Sequence, residues 1–160
     1  MRHHRLLVLG AAALLVFASG CETVKTTSSG AVGIHRKQQM LVSSEAIDQG
    51  AAQAYEKELA TAREKGALNT DKALLARVTN VAQRIVAATP AFRADATSWK
   101  WQFNVQKTDE LNAYCMPGGR IMVYSGLIEQ LDLTDAELAT VIAHEVAHAL
   151  REHTRRRLTG

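Results

Sequence analysis

The sequence predicts an α+β domain, and three features carry that prediction. Apolar side chains recur at helical spacing in Leu74, Val78, Val81 and Ile85; they alternate with polar ones from Trp99 to Val105; helical spacing then returns in Leu138, Val141, Ile142 and Leu150. Helices followed by short strands and a further helix describe helices packed on a small sheet around one core.

The first segment precedes that domain. Residues 1–5 are basic, residues 6–18 are apolar and uncharged, and Ala18-Ser19-Gly20 is small. This is the layout of a secretory signal, with an apolar run shorter than the roughly 20 residues a helix needs to span a bilayer. Residues 1–20 are therefore expected to be an export leader rather than a retained anchor. Cys21 directly after small residues resembles a bacterial lipobox, although Ala18 stands where leucine is usual. The resemblance implies cleavage before Cys21 and its lipidation; ordinary cleavage would instead leave a free thiol. Glu22, rather than aspartate, follows the cysteine, and so suggests the periplasmic face of the outer membrane. Residues 21–42 are polar, with Thr26, Thr27, Ser28, Ser29, Gly30 and Gly33 and no sustained period, so they read as a tether.

Residues 43–160 form the expected domain. Ser43 or Ser44 can cap a first helix running to about Lys65, and Asn69 or Thr70 a second that Pro90 stops. Trp99, Trp101, Phe103 and Val105 form the inward face of a strand, where core packing is the expected role of the tryptophans. Residues 111–116 and 120–124 read as two further strands joined by the turn Pro117-Gly118-Gly119. Ser125 opens a short helix. Thr134 and Glu137 then form a capping box, with Leu133 and Leu138 placed as a staple, for a helix running to about His153.

Charge excludes one class of partner. The net charge is +3 and approaches neutrality once Arg2 and Arg5 are removed with the leader, so no nucleic-acid partner is expected. The cluster Arg151, Arg155, Arg156 and Arg157 follows a helix and complements its dipole. Cys115 lies in an apolar run with no base nearby, and so reads as a structural thiol.

The last helix carries chemistry. Residues four apart turn by about 40° and rise by about 6 Å, so His144 and His148 of His144-Glu145-Val146-Ala147-His148 project from one face. Two imidazoles at that spacing can grip one Zn²⁺ per chain. Glu145, on the flank of that face, suits a general base for a water whose pKa zinc lowers to about 7. Val141, Ile142, Ala143, Val146 and Ala147 are expected to make a dry shell. Arg151 and Thr154 stand where the metzincin extension requires glycine and histidine, and His153 reads as a helix-end residue.

Linked motifs narrow this further. Asn112-Ala113-Tyr114-Cys115-Met116-Pro117-Gly118-Gly119, Val123-Tyr124-Ser125-Gly126-Leu127, Glu137-Leu138-Ala139 and His144-Glu145-Val146-Ala147-His148-Ala149 occur in that order. Together they resemble the gluzincin family of HtpX and the CAAX prenyl proteases, most closely its bacterial lipoprotein, LoiP-like branch. The resemblance implies a zincin-like fold, His144 and His148 as zinc ligands, and Glu145 as catalytic base. It implies that Asn112, Gly118 and Gly119 shape an edge where an extended peptide pairs. It also implies a lipid-anchored endopeptidase that hydrolyses misfolded envelope proteins in quality control. The family's third ligand is a glutamate on a later helix, and no Glu or Asp follows Glu152. The chain is therefore expected to be the N-terminal part of such a domain. The alternative is a non-catalytic lipoprotein that binds unfolded clients or a partner complex.

Overall fold

The computed structural model describes residues 22–24, 38–40 and 43–152. Helix α1 (Ser44–Glu64) starts where Ser43 Oγ accepts a hydrogen bond from Ala46 N at 3.1 Å, and it buries Tyr55, Leu59 and Ala62. Glu45 in its first turn and Arg63 in its last complement the helix dipole. Helix α2 (Lys72–Val86) is capped by Asp71, whose Oδ1 accepts from Leu74 N at 2.9 Å, not by Asn69 or Thr70. Asn69 is committed elsewhere. It adopts a left-handed φ of 54°, its Oδ1 accepts from Val105 N at 2.8 Å, and its Nδ2 donates to Asn104 Oδ1 at 2.8 Å. With its side chain turned to the strand and its backbone left-handed, Asn69 lacks the extended conformation of an N-cap, which Asp71 has.

Pro90 lies in a 3₁₀ turn, Thr89–Ala91, beyond the end of α2, and a second such turn covers Ala94–Ser98. The strand expected from Trp99 begins later, because Trp99 N closes that second turn onto Ala96 O at 3.3 Å. Trp99 and Trp101 stack at 5.3 Å between ring centroids and pack beside the main core, as the sequence predicts. Strands β1 (Glu22–Val24) and β2 (Gln38–Met40), inside the segment read as a tether, pair antiparallel. Strands β3 (Gln102–Gln106), β4 (Ala113–Met116) and β5 (Arg120–Tyr124) form a separate three-stranded sheet.

The expected hairpin forms between β4 and β5, with Met116 opposite Arg120 and Ala113 opposite Val123. The order across the sheet is β3-β5-β4, and β3 runs parallel to β5 with Gln102 opposite Arg120. Alternation along β5 then divides the core. Ile121 and Val123 join α2 and the last helix, α4 (Asp135–Leu150), in the larger cluster with Val78, Leu138 and Ile142. Met122 joins Tyr55 and Leu59 of α1 on the opposite side. The sheet thus lies between α1 on one face and α2 with α4 on the other. Full burial of each large apolar side chain contributes about 1.5–3 kcal/mol. A short helix, α3 (Ser125–Gln130), leads from β5 toward α4. Among the described residues, no helix is long and apolar enough to cross a membrane.

Candidate metal centre

Helix α4 is fixed at its start by the predicted capping box. Thr134 Oγ1 accepts from Glu137 N at 3.3 Å, and Glu137 Oε2 accepts from Thr134 N at 2.9 Å. These bonds to Thr134 hold the Glu137 carboxyl below the usual carboxylate range. Arg77 of α2 reaches the same end, donating through Nε to Asp135 Oδ1 at 2.7 Å and through Nη2 to Leu133 O. Leu138, Ile142, Val146, Ala149 and Leu150 face inward, which leaves the other side of α4 to carry polar groups outward.

On that side the two histidines converge. His144 Nε2 and His148 Nε2 lie 2.9 Å apart, with ring planes at 88°. Two nitrogens bound at about 2.0–2.1 Å to one tetrahedral zinc are roughly 3.3 Å apart. The pair therefore fits two positions of such an ion after a shift of a few tenths of an ångström. Among the described residues, no group of three or more His, Cys, Asp or Glu side chains is placed to hold a metal. The two histidines supply two donor nitrogens at this point.

Glu145 is half-buried beside the pair, on the flank that meets β4. Burial first, and then the Glu145 carboxylate, push the half-buried Cys115 thiol well above the ordinary range. That suits a structural thiol, not a nucleophile. The expected dry shell is only half present. Ile142 and Val146 turn into the core, whereas Ala143 and Ala147 are exposed alongside His144. The alanines keep the histidine face low and open, while the buried residues hold the helix from behind.

The remaining predicted positions flank β4. Asn112 is exposed just before the strand, and its carbonyl accepts from Tyr124 N at 3.0 Å. Gly118 and Gly119 form the turn at the other end, with φ of 78° and 87°. A Cβ on Gly119 would lie 2.7 Å from Trp101 Cδ2, and one on Gly118 would collide with Asp48 and Arg120. Backbone conformation and close packing account for both glycines. Among the described residues β4 pairs with β5 alone, so its outer edge has no strand beside it. Cys21 and His153 lie outside the described residues.

Glu152, read in the sequence as part of the same helix, lies past the cap at Arg151 with a left-handed φ of 51°. It turns toward Arg93, to which it is bonded at 2.9 Å. Sequence reasoning missed Arg93 and Arg77, because no local pattern links either to a partner more than fifty positions downstream.

Comparison with known proteins gives a consistent picture. The profile of peptidase family M48 matches residues 72–160. The mitochondrial metalloendopeptidase OMA1 of Arabidopsis thaliana is 42% identical over 59 residues, covering 37% of this chain and 12% of that protein. OMA1 of Schizosaccharomyces pombe is 32% identical over 77 residues, 48% of this chain and 21% of the relative. The β-barrel assembly-enhancing protease of Escherichia coli K12 is 28% identical over 89 residues, 56% of this chain and 17% of the relative. The matched stretch thus spans about a fifth or less of the length of each of these proteins.

Proposed function

The chain belongs to peptidase family M48, and from that membership we propose that it is a zinc-dependent endopeptidase acting on proteins of the bacterial envelope. The observation that carries the proposal is the convergence of His144 Nε2 and His148 Nε2 at 2.9 Å, with Glu145 between them on one helix, inside the matched segment. In this reading His144 and His148 are two zinc ligands. Zinc supplies Lewis-acid polarisation of the peptide carbonyl and makes the attacking water more acidic. The Glu145 carboxylate accepts the proton of that water and delivers it to the leaving amine nitrogen. The outer edge of β4, unpaired among the described residues and lying between Asn112 and Gly118-Gly119, offers backbone groups on which an extended substrate strand pairs.

The envelope setting rests on residues 1–20 as export leader, lipidation at Cys21 and the tether that follows. The relatives named for β-barrel assembly support misfolded or unassembled envelope proteins as substrates. The linked motifs from Asn112 to Ala149 favour the lipoprotein branch of the family.

Glu145→Gln tests the enzyme reading. Cleavage of an unfolded protein substrate is expected to fall about 10²–10⁴-fold, while zinc measured by elemental analysis stays near one ion per chain. His144→Ala and His148→Ala should each lose the metal. Cleavage that persists unchanged in Glu145→Gln rules out the mechanism. One competing reading is a client-binding lipoprotein without catalysis. That reading gains if client binding and envelope function both survive Glu145→Gln.

A further inference from the structure

Beyond the catalytic helix itself, one guanidinium ties its far end to the rest of the fold. Arg93 lies between the two 3₁₀ turns, and its side chain is 13% exposed. Nε donates to Asp95 Oδ1 at 2.7 Å and Nη2 to Asp95 Oδ2 at 2.9 Å. Nη1 donates to Leu150 O at 3.1 Å, one of the carbonyls the end of α4 leaves without a helical partner. Nη2 also meets Glu152 Oε1 at 2.9 Å, and Ser44 Oγ donates to the same oxygen at 3.0 Å. The Arg93 plane is steadied by Trp99, 5.1 Å from its ring centroid. The clasp therefore joins the Ala94–Ser98 turn, the last turn of α4 and the first residue of α1. His148 sits in that last turn, two residues before Leu150.

We propose that Arg93 is a positioning residue: by holding the last turn of α4 it keeps the His148 imidazole directed at the point where His144 also aims. The proposal rests on the reading of these histidines as metal ligands. A helix end without such a partner frays within its final turn, which would move His148 while His144, a full turn earlier, keeps its place. Arg77 provides an internal comparison, because it clasps the opposite end of the same helix.

The test uses the full chain with Zn²⁺ alone, in competition with a chromogenic chelator, together with hydrogen exchange of the metal-free protein. Arg93→Met is expected to weaken zinc binding about tenfold, in the range found when groups orienting a ligand are removed, and to speed amide exchange in the last turn of α4. Arg77→Met should leave zinc affinity within about twofold of the parent. Arg93→Lys keeps a charge without the fork that spans Asp95, Leu150 and Glu152, and should fall between the two; it decides the matter if Arg93→Met does not fold. Equal loss of zinc affinity in the Arg93 and Arg77 variants would reduce the effect to general destabilisation and overturn the proposal. So would unchanged exchange in the last turn. Failure of the unmodified chain to bind zinc would instead remove the metal reading, and the exchange data alone would then decide whether Arg93 orders the turn.

Discussion

Tyr55 shows what one hydroxyl can hold together. It is fully buried between α1 and the sheet, donates to Ile121 O at 2.8 Å and accepts from Asn104 Nδ2 at 3.0 Å. Asn104 continues to Asn69, and Asn69 to the backbone of Val105, so a polar chain ties α1 to β3 and to the loop before α2. Burial pushes the Tyr55 phenol well above its ordinary range, so it stays a neutral donor throughout the working pH. Tyr55→Phe leaves the carbonyl and the amide without this partner and should cost about 1–3 kcal/mol in urea unfolding. At this scale the sequence was uneven to read. His144 and His148 were legible because four residues along a helix is a fixed geometry. The network of Tyr55, Asn104 and Asn69 was not, since every link joins residues far apart in the chain. The turn at Gly118-Gly119 was legible from its composition, but the Trp101 ring against Gly119 was not.

Helix α4 announces its beginning locally, which is why Thr134 and Glu137 could be recognised as a capping box before any fold was known. Helix α2 does not, because its local cap candidate, Asn69, is drawn away by β3 and Asp71 takes the role. The α4 box has a pH consequence. The folded-state pKa of Glu137 lies below its ordinary value of 4.5, through its hydrogen bonds with the side chain and backbone of Thr134. The stabilisation is therefore complete above the unfolded pKa and is lost as pH falls through the lowered folded value. The thermal midpoint of Glu137→Gln should trail that of the parent at neutral pH. The gap should close as the solution is taken below about pH 4.5 in the same buffer series. A gap that stays constant into acid would show that the carboxylate charge contributes nothing to the cap.

Across the whole molecule, the predicted α+β class and the run of helices and strands match the observed fold, because periodicity is a property of neighbours. The layering was hidden, since nothing local declares that β5 lies at the centre of the sheet or that β3 joins it in parallel. That layering puts the histidine pair on the outside of a helix whose other side is locked into the main core, a firm base for an open face. The strand order also bears on time. Met116 finds Arg120 across a tight turn, whereas Gln102 must reach the same residue from beyond the hairpin. A hairpin of this kind closes in roughly 1–10 µs, while non-local pairing waits on a larger loss of chain entropy. Docking of β3 is therefore expected after β4 and β5 have met. Gly119→Ala, which burdens the turn and crowds Trp101, should slow refolding as well as hasten unfolding in stopped-flow measurements, whereas Asn104→Ala on β3 should chiefly hasten unfolding. The middle strand is thus the clock of the fold: it becomes a template for its last neighbour only after its first neighbour has set it.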